Sequence, residues 1–324
     1  MSNPRLPDRD EETWKGGFVL GSPQPVLDVS GAGGMVIAGG DALLMLRPGA
    51  ENWKQGTPPD DLGPVVAVAA EQRPSWRYAV ASFGGITLFG LPRDQKLTLR
   101  AEQTETQVTH LAWASFGKES VLYLRWTDGT VGRVRLDQGT IEYLTVEPMD
   151  AIASDVTGSL AMVSLSGPEP HALFSSDGLR FEERPAVALP ASDPEARVHL
   201  AVAGAAIAYA IDGAGARLSR GIDEDFVPCE GLGNGGPLAF QGATPDAAVF
   251  CATRTRAMTA IHRVDAKGAV QRIAEIGAEA GEAPRLTGLL WDRSRHVLWS
   301  VGPVVGLMKS EEPKDKGGKK RVVN

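Results

Sequence analysis

Chemistry at a protein site needs a nucleophile, an acid or base, a metal ligand or a fixed charge. In this 324-residue chain the residues able to supply one are sparse. The histidines are His110, His171, His199, His262 and His296. No two stand in an HxH or HExxH spacing, so a metalloprotease motif is absent. Cys229 and Cys251 are the only cysteines, and neither has a CxxC partner. That excludes a zinc site built on cysteines and leaves two small buried hydrophobes or a single disulfide. There is no G-x-S-x-G, no P-loop and no Rossmann fingerprint. The glycine-rich stretches 31–34 and 231–236 lie between apolar segments and open no helix, so they read as tight turns rather than phosphate cradles. The residues that remain as candidates are Asp28, His110, Asp150 and His199, each at or beside a short apolar segment, and the loop cluster Arg73, Trp76 and Arg77. The first four could hold a metal or a small anion if the fold made them converge. Trp beside Arg is the composition of an interaction hot spot, or of a tryptophan that covers a rim.

Composition narrows the function classes. There are 33 basic and 40 acidic residues, a net charge of −7, so the footprint of a nucleic-acid binder is missing. Arginine outnumbers lysine and alanine is frequent, a high-GC genome's habit rather than a binding signal. Hydrophobic residues make up 43% and charged residues 23%, enough for a large core. The first 13 residues are polar with no apolar stretch of signal-peptide type. Apolar runs such as Val65–Ala70 and 200–211 are too short or too broken by glycine to span a bilayer. The expectation is a soluble cytoplasmic protein that uses no cofactor.

The elements that must position these residues are strands. Apolar segments of period two, bounded by Gly, Pro, Asn or Asp, run the length of the chain, and 38 glycines with 22 prolines punctuate them. The best helical candidate, 273–282, amounts to a turn or two. The strands group in fours, and a new group opens at Val26, Val65, Val108, Met149, Val198, Leu238 and Leu286. The mean spacing is about 43 residues. Pro25, Pro64, Pro148 and Pro237 each precede an opening strand, where a missing donor does least harm.

Four strands every 40 to 50 residues is the pattern of a β-propeller. A four-stranded sheet with two apolar faces can bury both only against neighbours on either side. The seventh group supplies three strands before the chain turns polar. The orphan segment from Trp14 to Gly21 would complete it, as an N-terminal strand closing the last blade. The expected organisation is therefore all-β and seven-bladed: a flexible segment 1–13, a propeller over 14–309 and a flexible basic tail over 310–324. From Lys309 onward the tail holds six basic and three acidic residues.

The arrangement resembles the β-propeller superfamily, with likeness to two kinds of repeat. Thr127-Asp-Gly-Thr is similar to a WD40 turn, although Trp291-Asp292 ends a first strand and no Gly-His occurs. Ser175-Ser-Asp-Gly-Leu-Arg-Phe181 resembles a shortened Asp box of sialidase-like (BNR) propellers, and 219–226 and 47–53 occupy the same place in their groups. The Asp-box likeness implies architecture and not catalysis. Sialidase chemistry would need three arginines and a tyrosine nucleophile at the channel mouth. Tyr78, Tyr123, Tyr143 and Tyr209 instead sit inside alternating strands, as core residues do. Most tryptophans fall at strand positions and should wedge between blades.

Within a propeller, Asp28, His110, Asp150 and His199 fall at the central channel, as a site or as plain lining of a water-filled tunnel. The expected function is a non-enzymatic scaffold that binds protein partners, as a monomer or as a subunit of a larger bacterial assembly. A sialidase-like or lactonase-like enzyme is the alternative, as is a small-ligand or glycan binder with its site at the channel mouth.

Overall fold

The computed structural model describes residues 26–29, 33–39, 42–50, 52–57, 60–71, 77–91, 96–100, 106–117, 119–165, 168–189, 196–277, 282–302 and 306–309. They form seven antiparallel sheets in chain order, six of four strands and one of three. Within each sheet the strands follow one another as a simple meander. We number the sheets as blades 1 to 7: 26–56, 65–100, 108–143, 151–185, 198–228, 235–277 and 288–309.

The first strand of every blade is innermost. These strands are Val26–Val29, Val65–Ala70, Val108–Phe116, Ala151–Ser154, Val198–Ala203, Gly235–Phe240 and Gly288–Asp292. Each contacts the first strands of the blades on either side, and that of blade 7 contacts that of blade 1, so the ring closes. The chain enters every innermost strand on one face of the ring, called here the entry face, and leaves it on the opposite, exit face. Because each blade is an antiparallel meander, its second-to-third turn returns to the entry face and its third-to-fourth turn to the exit face.

The blade-to-blade packing follows from the period-two sequence. In blade 5 the second strand, Ala206–Ile211, is buried at every position. Its alanines Ala206, Ala208 and Ala210 pack on Leu238, Phe240, Val249 and Cys251 of blade 6. The alternate residues Ile207, Tyr209 and Ile211 pack on Ala161, Val163 and Phe174 of blade 4. Side chains that alternate across a strand thus feed two different cores. Each of the seven blade interfaces has such a cluster. The closing one joins Leu27, Val29, Met35, Ile37 and Trp53 of blade 1 to Val297, Trp299 and Val301 of blade 7. Arg295 adds a polar clasp there, pairing with Asp292 at 2.6 Å and donating to the Gly33 carbonyl at 3.0 Å.

Several expectations are adjusted. The helical candidate 273–282 enters the outer strand of blade 6, Val270–Gly277, which pairs with Met258–Val264 across a register shift. Pro237 lies inside the innermost strand of blade 6, at a pairing irregularity between Gly235 and Leu238, where no ladder bond is lost to it. Trp113, Trp126 and Trp299 are buried between blades, as are Tyr78, Tyr123 and Tyr209. Tyr143 is exposed on the outermost strand of blade 3, stacked on Trp126 at 5.0 Å. The closing segment from Trp14 to Gly21 and both tails lie outside the described residues.

Candidate functional site

The channel candidates do not form one group. Asp28, on the innermost strand of blade 1, reaches the last residue of the neighbouring innermost strand, near the exit face. Its carboxylate accepts from the Ala70 amide at 2.7 Å and from the Val29 amide at 2.8 Å. Burial pushes its pKa up to about 7 despite both donors. Asp28 is therefore a seam residue between blades 1 and 2.

His110, Asp150 and His199 lie at the entry face. His110 faces Arg125 across the first two strands of blade 3. The Arg125 guanidinium donates to the Met149 carbonyl and, at 2.9 Å, to the Thr109 hydroxyl. Asp150, at the entrance to blade 4, accepts from the Leu165 amide at 2.6 Å, and its charge acts on Arg125. On blade 5, His199 Nε2 lies 2.7 Å from Asp212 Oδ1, in an ion-pair geometry with a residue of the second-to-third turn. Arg285, in the approach to blade 7, spans blade 6 to donate to Asp212 Oδ2 at 2.6 Å. Burial opposes ionisation of Asp212, but His199 and Arg285 outweigh it and hold its pKa down to about 2.

The two histidines belong to one constellation. Burial pushes the pKa of His110 down to about 3, reinforced by the charges of Arg125, His199 and Arg197. Blades 3 and 5 are separated by blade 4, so side chains from the two interact at such range only around the channel. The entry-face mouth thus gathers Arg125, Arg197 and Arg285 with His110, His199, Asp150 and Asp212. The sequence reading missed Arg125, Arg197, Asp212 and Arg285. Each ends or precedes a strand on the entry face, and only the repeat register, applied to every blade, could have picked them out.

None of the four tyrosines joins this mouth. The Tyr123 hydroxyl donates to Gly178 O and that of Tyr209 to Val187 O, at 3.3 and 2.9 Å, and that of Tyr78 donates to Leu46 O. With Tyr143 on the rim, a tyrosine nucleophile of the sialidase kind has no candidate among the described residues. No group of three or more His, Cys, Asp or Glu side chains able to hold a metal occurs among them either.

Of the loop cluster, Arg73 and Trp76 lie outside the described residues. Arg77 is paired with the fully buried Glu71 through two hydrogen bonds, and its guanidinium lies 5.5 Å from the Trp113 ring centre. Cys229 and Cys251 are unjoined, and burial pushes their thiols up to about 11 and about 12. The Asp-box segment does form the third-to-fourth turn of blade 4. Asp177 Oδ1 accepts from the Leu179 and Arg180 amides at 2.8 and 2.9 Å, and Ser175 Oγ accepts from the Gly178 amide at 2.8 Å.

No family model matches the chain, and no curated protein matches it in sequence. Solved structures match its fold. A streptogramin B lyase is 11% identical, with TM-score 0.65, covering 91% of this chain and 96% of its own. A chain of the mitotic checkpoint complex is 12% identical, with TM-score 0.67 and coverage of 96% and 97%. YCF48 from Cyanidioschyzon merolae is 14% identical, with TM-score 0.61 and coverage of 93% and 100%. All are β-propellers. The chain is a β-propeller of seven blades, six of four strands and one of three among the described residues, and the likeness goes no further than the fold. No helix among the described residues is long and apolar enough to cross a membrane.

Proposed function

We propose that this propeller is a non-enzymatic scaffold whose exit face, at blades 4 and 5, docks a protein partner. The observation that carries this reading is where large apolar side chains are exposed. Leu179, in the third-to-fourth turn of blade 4, is 76% exposed, and Ile222, in the same turn of blade 5, is 44% exposed. Val227 on the outer strand of blade 5 adds a third exposed apolar group. Exposed carboxylates flank them: Asp177, Glu182 and Glu183 on blade 4, and Asp223, Glu224 and Asp225 on blade 5. Apolar tips flanked by six exposed carboxylates and one exposed arginine, Arg180, have the make-up of an interface core with a mostly acidic rim. The complementary partner is a protein segment that carries both apolar and basic residues. Propellers of known structure include components of protein complexes, which supports the reading by fold analogy alone.

The test is affinity isolation from the native host with wild type, a Leu179→Asp/Ile222→Asp double variant and a Phe83→Asp control on the entry face. A partner retained by wild type and the control, lost at least about tenfold by the double variant and weakened by salt, is expected. Equal retention by all three, or no partner with wild type, would refute the proposal.

A further inference from the structure

The sequence that follows blade 7 has the composition that the exit-face patch calls for. We propose that its segment 314–323 docks in cis on the patch at blades 4 and 5, with its basic side chains on the carboxylates and Val322 and Val323 on Leu179 and Ile222. This rests on the reading of that patch as a docking surface and names an occupant for it, one that a partner of the same chemistry must displace.

Charge complementarity is the first ground. Lys314, Lys316, Lys319, Lys320 and Arg321 bring positive charge close together, against one acid, Asp315. On the patch, Glu182, Glu183, Asp223 and Asp225 are exposed and make no ion pair among the described residues. The charges of Glu182 and Asp223 act on the buried Arg184, but neither is bonded to it. By contrast, Asp137, Glu142, Glu275 and Glu282 are each paired with an arginine. A cluster of unpaired like charges repels itself and gains from a basic segment laid across it.

Apolar matching is the second ground. Val322 and Val323 directly follow the basic run. Leu179, Ile222 and Val227 expose large apolar side chains between the carboxylates. Covering them with the valines removes apolar surface of both from water.

Reach is the third. In blade 7, Lys309 pairs with Val297, and Val297 pairs with Asp292, the last residue of the innermost strand. The chain therefore leaves blade 7 on the exit face, the face that carries the patch. The patch lies two to three blades away, and packed sheets are about 10 Å apart, so the span is roughly 20–30 Å. The extended chain from Lys309 covers about 33 Å by Lys319 and about 46 Å by Val323, which leaves slack for the wider blade spacing at the rim.

Zero-length carbodiimide coupling of the purified full chain at low micromolar concentration, read by mass spectrometry, tests this. The reagent joins a lysine amine to a carboxylate only where the two touch. Unlabelled and isotope-labelled chains are mixed in equal parts, so coupling within one chain joins like to like. Asp60 on the entry face and Asp137 on the exit face of blade 3 are the reference carboxylates, both exposed. Lys314, Lys316, Lys319 and Lys320 are expected to couple to the carboxylates of blades 4 and 5 at least about tenfold more often than to the references, within one chain and less as salt rises. A Val322→Ser/Val323→Ser variant keeps every charge and alters no described residue, and it should lower this coupling at least about threefold. Coupling no more frequent than at the references overturns the proposal, as does coupling that the valine variant leaves unchanged. Coupling between labelled and unlabelled chains overturns docking in cis. If the affinity isolation retains a partner and this coupling is absent, the docking face stands and only this occupant falls. If the coupling is found and no partner is retained, the occupant stands and the partner falls.

Discussion

Replacing Asp28 by Asn should make the propeller more stable at alkaline pH and leave it almost unchanged near pH 5. The carboxyl is pushed up to about 7 by burial, while an unfolded aspartate titrates near 4. Between those values the folded chain keeps a proton that the unfolded chain releases. Stability is therefore fully present below about pH 4, falls as pH rises, and is lowest above about pH 7. The difference corresponds to about 4 kcal/mol, an upper bound because the carboxyl borders the channel. Asparagine removes the titration and keeps one carbonyl oxygen for the Ala70 amide, but loses the second acceptor now bonded to Val29. That loss costs about 1–2 kcal/mol. The net gain at pH 8 is about 2–3 kcal/mol, or about 4 °C in Tm for a chain of this size. At pH 5 the two contributions nearly cancel. Thermal unfolding followed by circular dichroism, at half-unit steps from pH 5 to 8.5, measures the difference. A wild-type-to-variant gap that does not change with pH, or a variant less stable at pH 8, would show that the buried carboxyl is not the cause.

Three further perturbations test other parts of the structure. Gly178 has a φ of 70° and its added Cβ would lie 2.4 Å from the Phe116 ring, so Gly178→Ala should cost about 2–3 kcal/mol in denaturant titration. Arg295→Ala removes the charge partner of the fully buried Asp292 and the bond to Gly33, so the seam between blades 7 and 1 should loosen by about 3 kcal/mol and show earlier cleavage under limited proteolysis. Asp212 is held down to about 2, so its stabilisation is present above about pH 4 and lost as pH falls toward 2. An Asp212→Asn variant should lack that acid-limb loss of about 2 kcal/mol, as measured by Tm against pH.

Much of the architecture was legible along the chain, because strand alternation and turn residues are local. The openings at Val26, Val65, Val108 and Val198 coincide with the starts of innermost strands, and those expected at Met149, Leu238 and Leu286 fall within three residues of one. The outer strand of blade 6 was harder to read. Its residues are mostly exposed or half-buried, so packing imposes no alternation on them. Tyr143 follows the same logic: an outermost strand has only one neighbour to pack against.

The site was legible only in part. That His110, Asp150 and His199 belong near the channel follows from their place at the start of a repeat. What they do there depends on residues far away in sequence. Asp212 meets Arg285 across 73 positions, and Arg125 reaches His110 only because the first two strands of blade 3 are in that register. Asp28, identical in sequence role, went to the other end of the channel because its strand is short and its carboxylate found the Ala70 amide. By itself, then, the sequence determined the repeat, the four strands of blades 1 to 6 and the apolar alternation, since those depend on neighbours two to four positions away. The tertiary structure alone decided which charges share a mouth and which apolar tips stay in water. Those outcomes depend on closing the ring, and the energies involved act between blades.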